Sequence, residues 1–255
     1  MQSLMVNKMR YNLDYLKKFS FYTHLTEFEK DFLNYHIFRL EKLAKIIGGL
    51  IHDDMSVLNI GMSVFDLLIQ PTIEEHKKLQ YSVSVPALSF LTNKSNLYKS
   101  INTIEIDLCK PKSANLENQS SRFDFIIFSG VLEHMFCSDS IVLSNISNLL
   151  KEKGLLYISV PNAARLSNRI KLLLGKNISW SKEDIVGGTE FGGYGHIREY
   201  TVGELNELLF KDFELLKFYK MNDYPWRGHN MAWLNYILPL SYSADISSVW
   251  KKKAV

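Results

Sequence analysis

The chain has 255 residues, of which 46% are hydrophobic and 22% are charged. These proportions exclude a disordered or fibrous protein, and the length suits one α/β domain with a large core. The formal net charge is only +3, with 30 Lys and Arg mixed among 27 Asp and Glu, which argues against a nucleic-acid partner.

The sequence contains no run of about 18 to 20 apolar residues, and polar residues interrupt its first stretch, so it predicts neither a membrane span nor a signal peptide. We therefore expect a cytoplasmic protein. The two cysteines, Cys109 and Cys137, have no second Cys or His at metal-binding spacing. We expect both to be unpaired thiols. Nothing in the composition predicts an oligomeric state.

An amphipathic helix is predicted over residues 25–50, ending at Gly48 and Gly49. Its apolar stripe consists of Phe28, Phe32, Tyr35, Phe38, Leu40, Leu43, Ile46, Ile47 and Leu50. Residues 1–24 carry a weaker helical pattern and either cap a substrate cleft or pack on the core. We treat residues 1–54 as an N-terminal helical extension and residues 55–255 as the main domain.

Short apolar runs separated by helices follow residue 54, which is typical of a parallel sheet built from βα units. The predicted strands are residues 56–60, 81–85, 103–106, 123–128 and 154–160. Gly154 is expected to stop the preceding helix in a left-handed conformation. We predict an α/β fold with a Rossmann-like, doubly wound and mostly parallel sheet.

The C-terminal part adds one more helix and two more strands. Thr201 and Glu204 form the capping box of that helix. The strands, residues 213–219 and 247–251, are expected to pair antiparallel at the sheet edge. Between them, residues 220–240 are either an acceptor lid or a subunit contact, with the aromatic and basic residues Trp226, Arg227, His229 and Trp233.

Three segments resemble the class I S-adenosylmethionine-dependent methyltransferases, particularly the branch that modifies quinones, sugars and other small molecules. Residues 123–134, FDFIIFSGVLEH, resemble that family's fourth strand and Leu-Glu-His turn. Residues 149–162, LLKEKGLLYISVPN, resemble its helix, glycine turn, fifth strand and Pro-Asn exit. Residues 195–201, GHIREYT, are similar to the segment before its last helix.

The resemblance implies that S-adenosylmethionine lies over the carboxyl ends of the central strands, where open parallel sheets bind ligands. The residues implied to bind the cofactor are Asn59, Gly61, Ser63, Ser84, Asp107, Leu108, Ser129 and Gly130. Asp107 is expected to accept a hydrogen bond from the adenine amino group. Its alternative role is to cap a turn.

The first cofactor loop departs from the family pattern. Asn59 stands in place of an acid, Ser63 and Phe65 stand in place of glycines, and the second strand ends in serines where the family has an acid. A charged hydrogen bond contributes about 1.5 to 3 kcal/mol, so weakening two of them costs about a hundredfold in affinity. The alternative function is therefore a catalytically inactive methyltransferase-like binding or scaffolding domain.

Methyl transfer mainly requires alignment of the acceptor with the methyl group, and a hydroxyl acceptor also needs a base. His134 and His196 are the candidate bases. Arg198 is expected to hold a carboxylate or phosphate of the substrate, and Tyr200 to line its pocket. Any of the four could instead brace its loop. The expected reaction, by analogy, is O-methylation of a small hydroxylated metabolite or sugar.

Other chemistries fit the sequence less well. Some relatives bind a divalent metal through Glu-x-x-Glu-His and a distant His, but Gly130 stands in place of the first carboxylate, so no metal site is predicted. A nicotinamide-dependent dehydrogenase needs Gly-x-Gly-x-x-Gly after the first strand, and that motif is missing. The Gly-x-Ser-x-Gly elbow of serine hydrolases is missing too.

Overall fold

A computed structural model describes residues 19–86, 96–110, 114–187, 195–222, 225–226, 229–231 and 233–254. Its strands are β1 (Ser56–Ile60), β2 (Gln80–Val85), β3 (Thr103–Glu105), β4 (Phe123–Ser129), β5 (Leu150–Pro161), β6 (Phe213–Met221), β7 (Pro225–Trp226), β8 (His229–Asn230) and β9 (Asp245–Lys252). Its α-helices are α1 (Glu27–Gly48), α2 (Val64–Glu74), α3 (Ala114–Glu117), α4 (Asp139–Leu149), α5 (Leu166–Leu173), α6 (Lys182–Gly187), α7 (Val202–Leu209) and α8 (Leu234–Ile237). None of the helices within these ranges has the length and hydropathy needed to cross a bilayer.

Seven strands form the main sheet in the order β3-β2-β1-β4-β5-β9-β6. The first five are parallel, as their neighbouring pairs show. The last strand, β9, runs antiparallel to both β5 and β6. The predicted fold class is therefore confirmed, with the reversed strand one place in from the edge. Within the excursion, β7 and β8 form a separate two-stranded hairpin.

Helix α1 begins at a capping box in which Thr26 and Glu29 satisfy each other's backbone amides. It packs on one face of the sheet through Leu33, Ile37, Leu40, Leu43 and Ile47, all of which are buried. The predicted apolar stripe is wrong at its start, because Phe28 and Tyr35 are about half exposed. The division of the chain at residue 54 stays a prediction.

The opposite face of the sheet carries a second apolar layer, which is closed by α4 and α7. The predicted face of α4 is confirmed, since Val142, Leu143, Ile146 and Leu149 are buried. The capping box of α7 is also confirmed, because the Thr201 amide donates to Glu204 at 2.8 Å and the Glu204 amide donates to the Thr201 hydroxyl at 3.3 Å.

The prediction for Gly154 is wrong. The left-handed residue of this turn is Lys153, with φ of 62°, and Gly154 lies within β5. A Cβ atom at Gly154 would lie 2.9 Å from the Lys151 carbonyl and 3.2 Å from the Asp124 carbonyl. Glycine is thus needed here for the close approach of backbone rather than for a helix stop.

The prediction of unpaired thiols is also wrong, because Cys109 and Cys137 form a disulfide. Its two halves lie on separate loops, one after β3 and one between β4 and α4. Sequence spacing gave no sign of the pair because 28 residues separate the two cysteines. The disulfide joins the loop of Asp107 to the loop that carries His134.

Reduction of this disulfide is expected to lower the free energy of unfolding by about 2 to 4 kcal/mol, because the bond restricts the unfolded chain over a separation of 28 residues. Urea unfolding with and without reductant measures the change. A double variant, Cys109→Ser with Cys137→Ser, should have the lower stability under both conditions. Equal stability of the wild type with and without reductant would contradict the pairing.

Candidate functional site

The carboxyl ends of β1, β2 and β4 meet at one edge of the sheet, because these strands are parallel neighbours. The turn after β1 starts at Gly61, whose amide donates to the Ser84 carbonyl at 3.0 Å. Gly61 has φ of +88°, and a Cβ atom there would lie 2.8 Å from Cγ2 of Val131. Both facts require glycine at this position.

Replacement of Gly61 by Ala is expected to lower the free energy of unfolding by about 1 to 3 kcal/mol through left-handed strain and to weaken cofactor binding. Thermal unfolding and calorimetric titration with S-adenosylhomocysteine measure the two effects. Gly203→Ala is the control, since nothing lies within 4 Å of a Cβ atom at this helical position. Equal losses in both variants would refute the special role of Gly61.

A buried carboxylate that sequence analysis missed organises the same turn. Asp66 is fully buried in α2. It accepts hydrogen bonds from Asn59 Nδ2 at 2.7 Å and from the Tyr81 hydroxyl at 2.6 Å. It also accepts one from the Ser63 amide at 2.7 Å. Asn59 is thus not simply a lost acid, because its amide group bridges Asp66 and the Gly61 carbonyl.

Ser63 starts α2, and its hydroxyl accepts a hydrogen bond from the Phe65 amide at 3.3 Å. Three residues therefore separate the end of β1 from the start of the helix, whose amino terminus lies at the strand tips. Such a terminus favours negative charge nearby. Phe65 is buried within the core layer under α1.

The loop after β3 holds the predicted adenine contact in a tight turn. One oxygen of Asp107 accepts from the Cys109 amide at 2.9 Å, and the other lies 3.2 Å from Lys110 Nζ. Leu108 is buried, and its carbonyl accepts from Asn145 Nδ2 at 2.9 Å. The structure therefore shows Asp107 capping a turn, and its contact with adenine stays a prediction.

The turn after β4 brings several titratable side chains close together. Ser129 ends β4, and Gly130 adopts φ of +68° while its amide donates to the Ser159 carbonyl at 2.9 Å. A short 3-10 helix, Leu132–His134, follows. It turns the Glu133 side chain back toward Gly130, where a Cβ atom would lie 3.7 Å from Glu133 Oε1.

Glu133 is buried, and its Oε2 atom accepts no hydrogen bond from any residue in the described ranges. Burial raises its pKa to about 7, although the nearby His196 and Arg39 oppose the rise. Its backbone carbonyl accepts from the Ile197 amide at 2.8 Å. This bond ties the loop of His196 to the end of β4.

The two histidines predicted as bases come together. The ring centroids of His134 and His196 are 4.9 Å apart in an edge-on arrangement, and the Trp180 ring lies 4.5 Å from that of His196. The Nδ1 atom of His196 lies 3.5 Å from Glu199 Oε1. Sequence analysis named both histidines as bases, but it considered Glu133 only in the comparison with a metal-binding motif.

Glu199 joins the His196 loop to the start of α5. Its Oε2 atom accepts from Arg165 Nη1 at 2.5 Å and from Asn168 Nδ2 at 3.3 Å. Burial acts to raise the pKa of Glu199, but hydrogen bonds from His196 and Arg165 outweigh it and lower the pKa to about 2. The carboxylate is therefore ionised at neutral pH and lies beside the His196 imidazole.

The predicted substrate residues face other partners. Tyr200 is buried, and its hydroxyl donates to Asp139 Oδ1 at 2.8 Å. Arg198 is half exposed, donates to Glu204 Oε1 at 2.9 Å and lies with its guanidinium 5.1 Å from the Tyr200 ring centroid. These contacts brace the loop, and acceptor binding by the two residues stays a prediction.

Helix α1 supplies further groups that the sequence did not associate with the site. Arg39 lies 3.6 Å from Asp245 at the start of β9, and its guanidinium would lie 3.7 Å from a Cβ atom at Gly130. Burial, with Arg39 beside it, lowers the pKa of His36 well below its usual value. Helix α1 thus lies beside the turn after β4 at the strand-tip site.

Donor atoms of Glu133, His134 and His196 all lie within 4.8 Å of one another. A carboxylate with two imidazoles is a donor set that suits a transition metal. The same atoms also suit proton transfer, since a carboxylate and an imidazole can each take up and release a proton. The expectation of no metal and the role of the two histidines as bases both stay predictions.

Solved structures share this fold at low identity. A SAM-dependent methyltransferase of Thermotoga maritima has a TM-score of 0.56 at 14% identity, over 89% of this chain and 95% of that one. The SpnF cyclase has a TM-score of 0.55 at 11% identity, over 84% and 82%. The CurJ carbon methyltransferase has a TM-score of 0.52 at 16% identity, over 84% of this chain but only 55% of that one. The fold alone therefore does not fix the reaction.

A comparison of the sequence with models of protein families shows the family of this chain. No curated protein matches the chain. Residues 55–215 match the model of a family described as a methyltransferase domain. The match covers the first cofactor loop, the Leu-Glu-His turn and the loop of His196, and it extends over more than half of the chain. The protein therefore belongs to the methyltransferase-domain family and is an enzyme of the S-adenosylmethionine-dependent class.

Proposed function

We propose that the protein methylates a hydroxyl group of a small metabolite or sugar. The observation that carries this proposal is the cluster of Glu133, His134 and His196 at the tip of β4, with donor atoms within 4.8 Å of one another. A hydroxyl must give up its proton as the new bond forms, and a base beside it raises the rate. The mildly positive, mixed charge of the chain favours a small acceptor over a nucleic acid.

The residues at the strand tips fit the cofactor. When bound, S-adenosylmethionine supplies a methyl group on a sulfonium centre. We assign its methionine part to the turn of Gly61 and Ser63, where glycine permits the left-handed backbone, with φ of +88°, directly after the tip of β1. Asp107 and Leu108 at the tip of β3, together with Ser84, Ser129 and Gly130, complete the proposed binding set.

Proton transfer is assigned to the cluster itself. Glu133 has a pKa of about 7, which matches the working range of a general base. His134 and His196 lie on its solvent side, each only partly buried, and we assign them to receive the proton and release it. Glu199 keeps His196 oriented through its ionised carboxylate.

Acceptor binding is assigned to the loop that carries His196. Arg198 is half exposed, and we retain it as the group that holds a carboxylate or phosphate on the acceptor. The ring of Tyr200 packs against the Arg198 guanidinium, and the Tyr200 hydroxyl donates a hydrogen bond to Asp139. Trp180 and helix α1 form the flanking walls, since Trp180 packs on His196.

The test is transfer of isotopically labelled methyl from S-adenosylmethionine to a panel of sugars, other hydroxylated metabolites, amines and carboxylic acids, read by mass spectrometry. Label on a hydroxyl oxygen is expected, with strong loss in the His134→Ala/His196→Ala double variant. His52→Ala is the control, because this exposed histidine lies in the turn before β1. Label only on nitrogen, or equal rates in all three proteins, would overturn the assignment.

A further inference from the structure

Helix α5 ends in an exposed apolar tip. Leu173 is 86% exposed, and the neighbouring apolar residues Ile170, Leu172 and Leu174 are each about half exposed or more. Every side chain from residue 170 to 177 is exposed. Large apolar side chains gathered in this way are uncommon on soluble monomers and mark binding surfaces.

A second exposed apolar group lies on α8, in Trp233, Tyr236 and Ile237. The 3-10 helix that follows α8, Leu240–Tyr242, contacts α5 and the turn before it. The guanidinium of Arg169 lies 4.3 Å from the ring centroid of Tyr242, and the amide of Asn162 donates to the Ser241 carbonyl at 3.0 Å. We call the exposed apolar residues of α5, its following turn and α8 the apolar rim.

The charges on α5 and its following turn are positive. The stretch from Arg165 to Trp180 contains four Lys and Arg residues and no Asp or Glu. Arg165 and Arg169 are held by internal contacts, and Lys171 and Lys176 are exposed. The charge becomes mixed only at α6, where Lys182 is followed by the exposed acids Glu183 and Asp184. The leucines of α5 thus lie beside two exposed lysines.

We propose that the apolar rim docks on the surface of a bilayer that contains anionic lipids. Apolar side chains beside lysines are the combination that binds at the headgroup boundary, where leucines enter the acyl region and lysines meet the anionic headgroups. A second copy of the chain fits the α5 tip poorly, because a symmetric contact centred there would bring Lys171 and Lys176 of one copy close to the same lysines of the other.

Docking places the strand-tip site beside the bilayer. Trp180 lies between Lys176 and Lys182 in the sequence, and its ring packs 4.5 Å from His196. The chain that follows α5 therefore reaches the catalytic cluster. The docking itself does not depend on the proposed reaction, and lipid binding can be measured without cofactor or acceptor.

The experiment is co-sedimentation of the purified full chain with vesicles of phosphatidylcholine alone or of phosphatidylcholine mixed with phosphatidylglycerol. Binding is expected only to the anionic vesicles and is expected to fall as salt rises. Leu173→Gln should weaken it about tenfold or more. Lys171→Gln/Lys176→Gln should weaken it about twentyfold to thirtyfold.

Two matched variants serve as controls. Leu216→Gln changes another half-exposed leucine, on the edge strand β6. Lys77→Gln/Lys78→Gln removes two exposed lysines just before β2, at the opposite edge of the sheet. Both should bind vesicles as the wild type does. Absence of binding to anionic vesicles would overturn the proposal, and so would equal weakening by test and control variants. Self-association in solution that Leu173→Gln abolishes, without vesicle binding, would assign the rim to a second copy instead.

Discussion

Replacement of Glu133 by Gln is expected to lower kcat by about a hundredfold to ten-thousandfold, the usual contribution of a positioned base. Glutamine keeps the size of the side chain but cannot take the proton. The buried Oε2 position has no hydrogen-bond donor to lose in the described structure, so the melting temperature should change little at pH 4.5 and below, where the wild-type carboxyl is protonated in the folded protein as well. Steady-state kinetics and thermal unfolding measure both quantities.

Two controls separate a base from other roles. Glu152→Gln alters an exposed glutamate on β5 and should leave kcat unchanged. A chelator should also leave the wild-type rate unchanged, because the cluster is assigned to proton transfer. A rate that falls with chelator would show that Glu133, His134 and His196 bind a metal. A Glu133→Gln variant with wild-type activity would show that Glu133 is not the base.

The burial of Glu133 also predicts how the stability and the rate depend on pH. The folded-state pKa of Glu133 is about 7, above its ordinary value of 4.5. Between these two values the folded protein holds a proton that the unfolded chain has lost. The wild type should therefore lose stability relative to Glu133→Gln as the pH rises from about 4.5 to about 7. The rate should rise over the upper part of that window, because the base must be ionised.

Replacement of Asp66 by Ala is expected to lower the free energy of unfolding by about 3 kcal/mol or more. The reason is that three donors, from Asn59, Ser63 and Tyr81, lose a buried charged acceptor. The turn of Gly61 loses its support at the same time, so affinity for S-adenosylhomocysteine should also fall. Urea unfolding and calorimetry measure the two effects.

The control for Asp66 is Glu74→Gln, which changes an exposed acid on the same helix. It should leave both stability and affinity within error of the wild type. A stable Asp66→Ala protein that still binds the ligand normally would show that the network does not support the cofactor turn.

The sheet could be predicted from sequence because its signals are local. The apolar run of β4, the helical face of α4 and the capping box of Thr201 are each contained within about a dozen residues. The two histidines were found because they belong to motifs that resemble a known family. The antiparallel pairing of β6 and β9 followed from order along the chain.

The rest of the site depends on tertiary packing. Asp66 lies within an apolar helix, where its capping box with Ser63 is a local signal for one hydrogen bond. The bonds from Asn59 and Tyr81 form only when β1, β2 and the helix pack together. Arg39 and Asp245 are brought together only when α1 packs across the sheet. The role of Glu133 depends on burial, which the Leu-Glu-His motif does not reveal. The disulfide likewise joins loops whose proximity is set by the order of the strands.

Calorimetric titration of the purified protein with S-adenosylhomocysteine tests the central claim most directly. Saturable heat and a higher melting temperature with ligand are expected. Asp107→Ala should lower the affinity for S-adenosylhomocysteine at least tenfold. Absence of heat and of thermal stabilisation at millimolar ligand would contradict cofactor binding at the strand tips. The chain would then have the methyltransferase fold in the inactive binding role.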